Sequence, residues 1–250
     1  MQDKVSSINS LLPRHYSGLA SVFFYGALVI ALLYFLALQL LSFTHGHGRD
    51  FRFVRDLLLT EEVGGYSVEI TRWTGDITVS IAVDRRGVSS DVRDVLEQIS
   101  PLIAPLGINL IDEGEGDIKL YVPDSNWVKK ELSPVGGRNL RRYSGYFDLT
   151  QADDGSISKG RIIVNPDVPK PDIKKVLVHE FAHALGLTAH SKIFPDSVLY
   201  QNRPRFLLAD ELAPVDRKLI RFLYRYLEPG DDEELVREIF DLYWYSISSE

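Results

Sequence analysis

The chain has no cysteine, and its only methionine is Met1. The first absence excludes disulfides, thiolate metal ligands and a cysteine nucleophile, and leaves the redox compartment open. Histidine is scarce as well, with 6 in 250 residues, and no N-x-S/T sequon occurs. The formal charge is −7, while residues 1–49 are net positive, with Lys4, Arg14 and Arg49 against Asp3. The remainder is therefore acidic, which argues against nucleic acid as a partner.

Charge is missing altogether from Tyr16 to Thr44, and Leu19 to Leu40 is almost wholly Ala, Val, Ile, Leu, Phe and Tyr. At about 1.5 Å per residue such a run can cross a hydrocarbon layer of about 30 Å. A cleaved signal peptide would have a shorter apolar core followed by small residues. One transmembrane helix over residues 17–43 is expected, after a tail at 1–16 and before a linker at 44–64. Lys4 and Arg14 precede the span, and Arg49, Arg52 and Arg55 follow it, so the basic residues do not fix its orientation. A short N-terminus before one span favours a single-pass protein with an extracytoplasmic domain.

About 200 residues remain, enough for one well-cored domain. A short helix is expected near 50–59. Alternating apolar residues predict strands at 67–73, 76–83, 108–111, 117–122, 143–149 and 161–165. A helix is expected over 91–103 with Ser90 as its N-cap. The Pro-, Gly- and charge-rich stretch 123–142 reads as a long loop. A helix starting near Asp172 runs to Leu185 and is ended by Gly186. Two further helices are expected at 215–226 and 232–245, the second within a C-terminal segment at 229–250. The pattern is α+β: a mixed, twisted sheet covered on one side by long helices.

Three of the six histidines fall in one segment, His179-Glu180-Phe181-Ala182-His183 followed by His190. Histidines at i and i+4 of a helix project the same way, so two imidazoles can meet one metal ion. Neutral imidazole suits Zn²⁺, and three neutral ligands leave the ion its charge and an open position. Glu180 is placed to exchange a proton with water at that position. The reading is a zinc metalloendopeptidase acting on a peptide or protein substrate. His179, His183 and His190 are the ligands and Glu180 is general base and acid. Asp196, Asp210 and Glu211 are alternatives for the third ligand. The alternative function is a catalytically inactive fold of the same kind that binds a peptide or protein at a membrane.

The stretch Val178 to Ser191 resembles the zinc-binding helix of metzincin peptidases, the matrixins in particular. It carries one extra residue between Gly186 and His190. Asp196-Ser197-Val198-Leu199-Tyr200 is similar to the metzincin Met-turn, with Leu199 in place of the methionine. The wider pattern also resembles a family of bacterial membrane-anchored zincin-like proteins of unknown function. It is carried by Arg72-Trp73, Gly145-Tyr146-Phe147-Asp148, His179 to Ser191, and Leu212-Ala213-Pro214-Val215-Asp216. The resemblance implies a metzincin-like catalytic domain over residues 65–228, with His190 as third zinc ligand. It further implies an edge strand, over 143–149, that pairs with an extended substrate. Tyr200 is a candidate hydrogen-bond donor to the oxyanion.

Overall fold

The computed structural model describes residues 28–35, 46–60, 69–131, 143–202 and 209–248. The chain divides into two units, Met1–Arg49 and Asp50–Glu250. The transmembrane helix expected in the first unit is not upheld. Among the described residues no helix is long and apolar enough to cross a membrane. Residues 28–35 are helical with exposed apolar side chains. The rest of 17–43 lies outside the described residues. The expected extracytoplasmic placement rested on that span.

The second unit opens on a helix, α1, covering residues 50–58 of this unit. It lies within the stretch read as a linker, yet Phe51, Phe53, Val54, Leu57 and Leu58 are buried in the main core. The elements that follow are β1 (Ile77–Asp84), α2 (Ser89–Ile99), β2 (Ile108–Ile111), β3 (Ile118–Val122) and α3 (Ser125–Glu131). After residues 132–142, outside the described set, come β4 (Gly145–Gln151) and β5 (Ile157–Val164). Helices α4 (Ile173–Ala184), α5 (Pro214–Tyr226) and α6 (Glu233–Tyr243) complete the unit.

The strands form one mixed sheet in the order β2-β1-β3-β5-β4. The first four run parallel, and β4 alone is antiparallel, as the edge partner of β5. Helix α2 packs against β2 and α4 against β4 and β5, and the two helices also touch each other. The α+β class and the mixed sheet are as the sequence predicts. The parallel strands alternate: Ile77 and Val79 of β1 and Ile118, Leu120 and Val122 of β3 enter the core.

Several local expectations change. Helix α2 begins at Ser89, and its preceding turn is organised by Asp84 rather than Ser90. Asp84 accepts hydrogen bonds from the backbone N–H groups of Arg86, Gly87 and Val88. Residues 123–142 include α3, where Asp124 accepts from the Asn126 and Trp127 N–H groups and supplies the missing cap. Residues 69–73 form no regular strand. They pair one bond at a time with different partners, Glu69 with Asp232 and Arg72 with Ser156. The reason is their position: they clamp the end of α4, as described next.

Candidate metal centre

Helix α4 follows a short 3-10 turn, Lys170–Asp172, and buries one whole flank: Ile173, Val176, Leu177, Phe181 and Ala184. That flank fixes the rotation of the helix and turns Glu180 and His183 towards β4. Gly186 ends the helix with φ +104, a left-handed conformation that favours glycine. Its Cα abuts the Thr71 carbonyl oxygen, so no Cβ could be accommodated. The last carbonyls of the helix are taken by side chains: Trp73 Nε1–H donates to Ala184 O at 2.8 Å and Tyr224 O–H to Leu185 O at 3.0 Å. Orphan carbonyls at a buried helix end need such partners.

Beyond Gly186 the chain is tied to α1 and the segment just after it. Thr188 N–H donates to Leu57 O at 2.9 Å, and Thr188 O–H to Thr60 O at 2.9 Å. Ser191 O–H donates to Asp56 at 3.0 Å. Ser191 also pairs with the 199–201 loop, donating to Leu199 O and accepting from Gln201 N–H. These bonds absorb the extra residue before His190 and return its ring to α4.

The three histidines come together, with ligand atoms all within 4.8 Å of one another. His190 Nε2 is 3.2 Å and His183 Nε2 3.3 Å from His179 Nε2. His179 Nδ1 lies 2.8 Å from Val198 O, and His183 Nδ1 lies 2.6 Å from Leu187 O. A carbonyl can only accept, so both Nδ1 atoms carry the proton. In the neutral rings both Nε2 lone pairs therefore face the shared space. Nitrogens bound to a tetrahedral zinc at about 2.0–2.1 Å stand roughly 3.3 Å apart. The two spacings to His179 Nε2 match those of ligands that share a small ion. Asp196, Asp210 and Glu211 are not part of the group.

Electrostatics favour the same state. His183 is buried, and burial first, then the nearby His179 and His190, holds its pKa well below the usual value of 6.5. It stays neutral, as a metal ligand must. The Phe147 ring stacks on it, with centroids 4.3 Å apart and planes 7° from parallel. Phe147 and Gly145 are two apart on β4 and share a face. Glu180, only 5% exposed, rests its carboxyl group against the Gly145 backbone. A Cβ on Gly145 would stand 2.7 Å from Glu180 Cδ. Tyr200 is half-buried in the loop beside Ser191.

A family model described as "Protein of unknown function (DUF2927)" matches residues 51–241. The chain belongs to this family. No curated protein matches it. A solved structure of myroilysin is similar at a TM-score of 0.32 and 14% identity, over 71% of this chain and 62% of that one. The chain thus spans less than two thirds of that structure. The matched region of the DUF2927 member contains the histidine group, all five strands and the clamp at residues 71–73.

Sequence reasoning finds the three histidines but not what holds them. Gly145 inside a strand is a signal of close approach that could have pointed to Glu180. Asp216 gave a weaker one. It is a fully buried acid, 0% exposed, three residues into a helix that opens on Pro214. Its carboxylate accepts from Ser197 O–H at 2.6 Å, Val198 N–H at 2.9 Å and Ala213 N–H at 3.1 Å.

Proposed function

We propose that this chain is a zinc-dependent endopeptidase, with His179, His183 and His190 holding the ion and Glu180 acting as general base and acid. The observation that carries the reading is the convergence of the histidine ligand atoms, two of them with Nδ1–H committed to a carbonyl. Glu180 is the next residue along the same helix. A bound Zn²⁺ supplies Lewis acidity, lowering the pKa of water and polarising a carbonyl. Glu180 accepts the proton of the attacking water and returns it to the departing amine. Its placement against Gly145 excludes bulk water from one side of the carboxylate and limits its rotamers. The β4 edge, free of a second strand partner among the described residues, offers backbone groups to an extended peptide.

Purified protein tests this. Wild type should carry about one zinc per chain and cleave unstructured protein. His183→Ala should lose the metal. Glu180→Gln should keep the metal and lose turnover. Full hydrolysis by Glu180→Gln would remove Glu180 from the mechanism. Zinc binding without cleavage of any peptide library would favour the peptide-binding alternative.

A further inference from the structure

The loop at residues 197–199 does more than lie beside the histidines. His179 Nδ1–H donates to Val198 O at 2.8 Å. The N–H of the same peptide unit belongs to Leu199, and it donates to Ser197 Oγ at 3.1 Å. Ser197 O–H in turn donates to Asp216 Oδ1 at 2.6 Å. The bonds run in one sense, imidazole to peptide, peptide to hydroxyl, hydroxyl to carboxylate. Every member except the imidazole is buried: Ser197 and Val198 are 1% exposed, Leu199 and Asp216 0%.

Hydrogen bonds in series polarise one another, and more so where the surroundings are apolar. A carboxylate at the end of such a chain makes the peptide carbonyl a better acceptor, and the imidazole it faces a better electron donor at Nε2. In many metal sites a carboxylate contacts the ligating histidine directly and has this effect. Here the carboxylate stands on another helix, α5, and reaches the ring through one serine and one peptide unit. Asp216 also accepts from Val198 N–H and from Ala213 N–H at the start of α5. It therefore ties the loop and the helix together while it polarises the relay.

We infer that Asp216 and Ser197 are positioning residues for metal binding: they fix the tautomer of His179 and raise its strength as a ligand. The inference rests on the proposed zinc site, while the relay itself is built entirely from this chain's own residues.

Ser197→Ala is the decisive variant, because it cuts the relay and leaves the Val198 and Ala213 bonds to Asp216 in place. Two readouts are needed. One is the His179 Nδ1–H proton resonance, and its exchange with water, in metal-free protein. The other is zinc affinity by chelator competition. In Ser197→Ala the resonance should move upfield and exchange faster, and zinc should bind about 10–100-fold more weakly. Ser197→Thr should restore both. Asp216→Asn should lose affinity as well if it folds. A residue that only supported the fold would lower the melting temperature and leave both readouts unchanged, and that result would overturn the inference. If wild type takes up no zinc, the proposed function falls, and the relay is decided by the metal-free resonance alone.

Discussion

The backbone of Gly145 lies so close to the carboxyl group of Glu180 that a single methyl group cannot fit between them. A strand edge thus sets the position of the one acidic side chain in the histidine motif. Gly145→Ala should push Glu180 off its position at a stability cost of about 1–3 kcal/mol. The three atoms nearest that methyl position all belong to Glu180, so zinc content should be kept while turnover falls. Metal analysis alongside a peptide assay would show it, and equal loss of both would mean that Gly145 supports the whole site.

Trp73 and Tyr224 close the same helix end from two sides. Trp73→Phe leaves Ala184 O without its donor, and Tyr224→Phe leaves Leu185 O without its donor. Each should cost about 1–3 kcal/mol, read by chemical denaturation. The carbonyls are adjacent, so the double variant should depart from the sum of the singles. Strict additivity would show that the two donors act independently.

Gly186→Ala meets two obstacles at once, the positive φ and the Thr71 carbonyl oxygen. Destabilisation well above about 1 kcal/mol is expected. The turn leads to Leu187, whose carbonyl accepts from His183, so zinc affinity should fall in parallel. A stable Gly186→Ala protein with normal affinity would contradict this view of the turn.

The depressed pKa of His183 has a definite sign in stability. The unfolded chain takes up a proton at this residue as pH falls through 6.5, while the folded protein does not. The unfolded state therefore binds more protons, and stability drops as pH falls below that value towards the lowered folded pKa. Above it the contribution is flat. Thermal melts of metal-free protein between about pH 5 and 8 should show the decline, and His183→Gln should lessen it.

The parts legible in the sequence are those with a local signature. The i, i+4 histidines, the helix around them, the glycine that ends it and most strands follow from spacing and alternation alone. The apolar run near the N-terminus reads as a span by the same logic, and the described residues contain no helix of that kind. What sequence could not supply is long-range partnership. Nothing near Trp73 announces Ala184, and nothing near Asp216 announces Ser197. The stretch 69–73 alternates like a strand but is spent on single bonds to separate segments. Asp84 displaced Ser90 as organiser of the α2 turn because it sits at the end of β1, where all three free N–H groups converge.

The relay through Ser197 also sets an order in time. Asp216 comes 33 residues after His183 and 143 after Trp73, counting along the sequence. During synthesis all three histidines are joined to the chain before the carboxylate at the end of the relay. A chain halted before α5 would hold the ligands without their support. Support of His179 through the relay would then coincide with completion of α5.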